Sequence, residues 1–81
     1  MDTLILYTIY DRITGGYGEV FMAVNDDDCK RKVAYSMQSN PYKEDLQLFA
    51  VGSFNIEFGV INAAEKPIFL CNILDCYLDG E

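Results

Sequence analysis

The chain has 81 residues, no histidine and three cysteines, so the side chains that most often move protons or bind metals near neutral pH are sparse. Cys71 and Cys76 are five apart, not in a Cys-x-x-Cys pair, and no histidine completes a zinc site. Cys29 comes early in an expected helix but on its buried face, which marks it as core. Asp11, Glu19, Asp45 and Glu57 all fall at expected strand ends, where charges belong without any catalytic task. No metal, cofactor or catalytic residue is expected, and the chain is not read as an enzyme.

A second kind of chemistry is open to it: pairing cations with phosphate and stacking rings on bases. The cations are Arg12, Lys30, Arg31, Lys32 and Lys43, and the rings expected to stand exposed are Tyr17 and Tyr35. Lys30, Arg31 and Lys32 form a basic triplet beside three consecutive aspartates, 26–28. That run also suits a helix start, where carboxylates meet the positive end of the helix dipole. Net charge is −7, and it is uneven: residues 1–43 hold five basic and six acidic groups, residues 44–81 one basic and seven acidic. This opposes general attraction to nucleic acid or anionic membrane and favours a basic partner.

The glycine loop Gly15-Gly16-Tyr17-Gly18 fails as a phosphate cradle, because it leads into a strand and no Lys-Ser/Thr follows. It suits a hairpin turn between strands at Thr3–Asp11 and Glu19–Val24. Asn25 is placed to cap a helix running to Ser39 and ended by Asn40-Pro41. On that helix Cys29, Val33, Ala34 and Met37 share the face that packs on a sheet, Arg31, Lys32, Tyr35 and Gln38 lie opposite, and Lys30 sits at the border.

The stretch Asp45–Asn55 is the expected central strand, apolar on both faces and interrupted by Gly52, which marks a bulge or a close backbone approach. A turn leads into a short strand near Val60-Ile61, a connection spans 62–66, and Pro67 opens a last strand to Ile73. Strand aromatics are assigned to the core. Residues 74–81 are expected as an acidic tail in which Leu74, Tyr77 and Leu78 make one helical turn or dock on a partner. The fold class is therefore α+β over one domain, residues 1–81: a mainly antiparallel sheet of four to five strands with one helix packed on it, in the order ββαβββ. The opening residues lack a basic stretch and meet Asp11, so neither a signal peptide nor a membrane span is expected. A small core and free sheet edges favour a homodimer or small oligomer.

Four pieces in order resemble one family. They are Tyr7-Thr8-Ile9-Tyr10-Asp11, Val20-Phe21, a helix carrying Arg31, and Asp45-Leu46-Gln47-Leu48-Phe49-Ala50-Val51-Gly52-Ser53-Phe54-Asn55, with Pro67 leading a final strand. The chain resembles the small non-structural protein of gokushoviruses, single-stranded DNA phages of the microvirus group, over roughly residues 4–73. Leu46 stands where that pattern has tyrosine, and Asn55 where it has aspartate. The resemblance implies a non-capsid protein that binds single-stranded DNA during genome replication or packaging in the bacterial cytoplasm. The rival expectation is a non-catalytic oligomeric module that binds a basic viral or host protein.

Overall fold

The computed structural model describes residues 2–78. Five strands and two helices follow in the order β1 (Thr3–Asp11), β2 (Gly16–Tyr17), β3 (Phe21–Ala23), α1 (Asp26–Met37), β4 (Leu46–Asn55), β5 (Val60–Asn72) and α2 (Ile73–Leu78), with a 3-10 turn at Lys43–Asp45. The sheet order is β2-β1-β4-β5, all antiparallel, and β3 pairs with β1 beyond β2. The α+β class and the antiparallel sheet stand. The single helix and the order ββαβββ do not, for three local reasons.

The expected second strand splits in two. Gly18 turns its N–H onto the Ile9 carbonyl at 2.8 Å and its own carbonyl onto the Thr8 hydroxyl at 3.0 Å. That interrupts the pairing between Tyr17 and Phe21.

The expected last two strands fuse into one. Four residues, Ala64 to Pro67, lie opposite Val51 between the Gly52–Ala63 and Ala50–Ile68 pairs. Pro67 thus sits inside β5, in a bulge on an edge strand, where its missing N–H breaks no ladder. Val51 is also the extra residue against β1, between the Leu6–Gly52 and Tyr7–Ala50 pairs. Gly52 fits both roles expected of it: it adjoins the bulge, and a Cβ there would lie 2.5 Å from the Asn62 carbonyl oxygen.

In the tail, the helical turn expected of Leu74, Tyr77 and Leu78 is present and starts at Ile73. Ile73 is the first residue of α2, not the last of a strand, and residues 73–78 are helical; 79–81 lie outside the described residues. Ile73 is fully buried and Cys76 nearly so, which gives this short helix an apolar face to hold it on the core.

Two of the turns follow one rule. Asp11 Oδ1 accepts from the Ile13 and Thr14 amides, Asn55 Oδ1 accepts from those of Glu57 and Phe58, and a glycine four residues on closes each turn onto the same residue's carbonyl at 2.8 Å. Asn55 therefore does in its turn what Asp11 does in the other, since only an acceptor oxygen is needed. Asn25 caps α1 as expected, accepting from the Asp28 amide at 2.8 Å.

The core lies on one side of the sheet. Tyr7, Leu46, Leu48 and Cys71 meet Cys29 and Val33 of α1 and Ile73 and Cys76 of α2, with Met37 and Ala34 at its margin. Burying side chains such as Leu48 and Ile73 contributes about 1.5–3 kcal/mol each. The molecule measures 38 × 29 × 16 Å, a depth that allows one sheet and one helix layer. Among the described residues no second helix layer lies over the opposite face, but Leu6 and Thr8 on it are buried, Thr8 with its hydroxyl on the Gly18 carbonyl.

Candidate nucleic-acid interface

Strand alternation sends Tyr7 and Leu48 to the helices, so Thr8, Tyr10 and Phe49 point the other way. The register completes a row on that open face, because Tyr10 pairs with Tyr17 of β2 and Phe49 with Phe69 of β5. Ring centroids lie 4.8 Å apart for Tyr10–Tyr17, 5.6 Å for Tyr17–Phe49, 6.0 Å for Tyr10–Phe49 and 5.6 Å for Phe49–Phe69. These are tilted and edge-on contacts, the geometry that aromatic quadrupoles favour. Tyr17 and Phe69 are about half exposed, while Tyr10 and Phe49 are partly covered by their neighbours. Beside the row, Gln47 donates to Asn72 across β4 and β5 at 3.2 Å. Four rings span four strands at angles of 52–81° to one another, and the two half-exposed ones, Tyr17 and Phe69, are those on which a flat group can stack.

Of the expected site residues, only Tyr17 joins this row. Arg12 follows β1 directly, at the end of the sheet where Tyr10 and Tyr17 lie. Its amide donates to the Asp45 carbonyl, and its guanidinium meets the Glu44 carbonyl at 3.3 Å and the Asp45 carboxylate at 3.6 Å. Lys43 donates to the Gln38 carbonyl at 3.2 Å.

The remaining four stand on α1, on the covered side of the sheet. Tyr35 is 77% exposed and Lys30 half-buried, the border position expected of it. Arg31 and Lys32 both pair with Asp28. The Lys32 and Arg31 hydrogen bonds hold that carboxyl below its usual range, with Lys32 the larger cause. The basic triplet thus serves, in large part, to balance the aspartates of its own first turn.

Tyr10, Phe49 and Phe69 escaped the sequence reading, which assigned every strand aromatic to the core. Tyr7 and Phe21 do belong there, with ring centroids 6.0 Å apart and the Tyr7 hydroxyl donating to Asp26 at 2.8 Å. The signal for the others was parity. Tyr10 and Phe49 are out of phase with Tyr7 and Leu48, and one helix layer covers one face only.

Cys29 and Cys76 are held as thiols. Burial pushes Cys29 and Cys76 up to about 12, helped at Cys29 by Asp26 and at Cys76 by the Cys71 thiol 3.6 Å away. Among the described residues no three His, Cys, Asp or Glu side chains converge as metal ligands. No helix among them is long and apolar enough to cross a membrane.

The family model described as Phage ORF5 protein matches residues 4–76, nearly the whole chain. The chain belongs to the phage ORF5 protein family. No curated protein and no solved structure matches it. The matched span of this phage protein runs from β1 into α2, so the four-ring row lies wholly within it.

Proposed function

We propose that this phage ORF5-family protein is a gokushovirus non-structural protein that binds single-stranded DNA, without catalysis, during genome replication or packaging in the host cytoplasm. The observation that carries the reading is the row Tyr17–Tyr10–Phe49–Phe69 on the uncovered sheet face. Unpaired bases have free π faces, and a ring platform on an open sheet is a sequence-tolerant way to hold them. Paired bases are stacked on each other already, so the row selects single strands.

Stacking has to carry most of the affinity here. With a net charge of −7 and Arg31 and Lys32 both engaged by Asp28, few cations remain for phosphates. Arg12, at the Tyr10–Tyr17 end and 52% exposed, lies nearest the row, and a phosphate would have to displace its 3.6 Å pairing with Asp45. Lys43 and the exposed helix face with Lys30, Arg31, Lys32 and Tyr35 form a secondary track at most. Binding led by stacking weakens little with salt, because the slope is only about 0.7 per phosphate contact and few such contacts form. The test is anisotropy of a labelled single-stranded oligonucleotide, with duplex as competitor. Phe69→Ala or Tyr17→Ala should weaken binding roughly 5- to 150-fold, the worth of about 1–3 kcal/mol per stacked base.

One observation favours the rival reading, a module for a basic viral or host protein. A cleft of about 490 Å³ between the glycine loop and the end of α1 is lined by Ile9, Phe21, Met37 and Leu46 together with Asp11 and Glu19. That combination suits an arginine or lysine side chain, with apolar stem and charged head. A basic peptide that binds wild type but not a Glu19→Lys variant would support it.

A further inference from the structure

We infer that β5 is the interface of a two-fold homodimer, in which two copies pair β5 with β5 in antiparallel fashion and extend the sheet across the axis. Composition and place disagree at β5. β5 lies at the sheet edge, yet apolar residues occupy both of its faces: Ile61, Ala63 and Phe69 on the open side, Val60 and Ile68 on the helix side. That is the pattern of an interior strand. A long edge with apolar side chains on both faces is a template for another strand, here in two stretches, Val60–Ala63 and Ile68–Asn72, on either side of the bulge that Lys66 and Pro67 keep unpaired.

Three features make that strand a second copy. The first is area. Val60, Ile61 and Ile68 of β5 and Ile56 and Phe58 in the turn before it are each 49–72% exposed, leaving Phe69 to the ring row. At about 200 Å² per fully exposed large apolar residue they offer roughly 600 Å² per copy, toward the ~800 Å² that each partner gives a standard interface.

The second is charge. β5 carries only Glu65 and Lys66, which cancel, whereas the chain as a whole is at −7. Two acidic copies can meet along this edge with little repulsion.

The third is symmetry. A two-fold through the Ala64–Pro67 bulge sets the bulges against each other and lays Val60–Ala63 of one copy beside the Ile68–Asn72 segment of the other. The opposite sheet edge is made of two short pieces, β2 and β3, two and three residues long. Pairing β5 to that edge would be brief and would propagate as a fibre, while β5 against β5 closes.

Sedimentation equilibrium of the full chain under reducing conditions tests this. The expected result is a monomer–dimer equilibrium in the micromolar range. Ile61→Lys/Ile68→Lys should weaken it at least tenfold, and Val20→Lys, on the other edge, should leave it unchanged. A monomer at all concentrations, assembly beyond the dimer, or equal dimerisation by the double variant would overturn the proposal. So would a monomer that gains a β5 partner only on addition of a basic peptide. If the double variant proves unfolded by circular dichroism, hydrogen exchange on wild type decides. Protection of β5 amides should rise with protein concentration, and concentration-independent protection would overturn the dimer.

Discussion

Gly52→Ala tests how the sheet is built. The added methyl would meet the Asn62 carbonyl oxygen at 2.5 Å and the Ala63 Cα at 3.1 Å, both backbone, with φ at +157°. Neither neighbour can swing away like a side-chain end, so β4 and β5 must part by several tenths of an ångström beside the bulge that already interrupts their pairing. Overpacking costs about 1–3 kcal/mol, a weakened ladder bond about 1 kcal/mol and an unfavourable φ about 1 kcal/mol or more. The sum is about 3–5 kcal/mol, a large share of the ~4–12 kcal/mol expected for a domain of this size. At about 4–8 °C per kcal/mol, Tm should fall by roughly 12–40 °C. Urea and thermal unfolding followed by far-ultraviolet circular dichroism read this out, since the chain has no tryptophan. Gly59→Ala is the control. Its φ is +70° but nothing lies within 4 Å, so only backbone strain of about 1 kcal/mol applies. If Gly52→Ala cost no more than Gly59→Ala, the close approach of the β5 backbone would be wrong.

Removing the α1 cap by Asn25→Ala should destabilise by about 0.5–2 kcal/mol, seen as a lower urea midpoint with unchanged slope, because the Asp28 amide loses its acceptor. Alkaline pH should destabilise more than neutral pH. Cys29 and Cys76 are held protonated in the fold up to about 12 from an ordinary 9.0, so their contribution is whole below pH 9 and lost as pH rises toward 12. Tyr7, raised above its ordinary 10.0 by burial and by Asp26, adds to the same decline. Under reducing conditions the urea midpoint should fall across that window, and Cys29→Ala should flatten the fall; a midpoint constant to pH 12 would contradict the burial of these groups.

Local chemistry was legible in the sequence wherever one residue decides the outcome. Asn25 as a cap, Cys29 and Val33 on the inner helix face, and Gly52 as a close-approach site each follow from a side chain's size or its acceptor. Pro67 misled because proline inside a strand is excluded only where its N–H is needed, and edge position is a property of the whole sheet. Ile73 misled because β5 and α2 abut without a break residue, so an apolar run continued the strand on paper. The ring row was half legible. Alternation separates Tyr10 and Phe49 from Tyr7 and Leu48, but bringing Tyr17 and Phe69 to them takes the register of three strand pairs.

The central claim is that the open-face rings, not the helix cations, hold single-stranded DNA. Its most direct test is anisotropy of one labelled oligonucleotide against wild type, Phe69→Ala and Arg31→Glu/Lys32→Glu, each first checked for a native circular dichroism spectrum. The account predicts a loss of roughly 5- to 150-fold for Phe69→Ala, with the charge reversal changing affinity far less. Unchanged binding by Phe69→Ala, with binding abolished by the helix charge reversal, would contradict it.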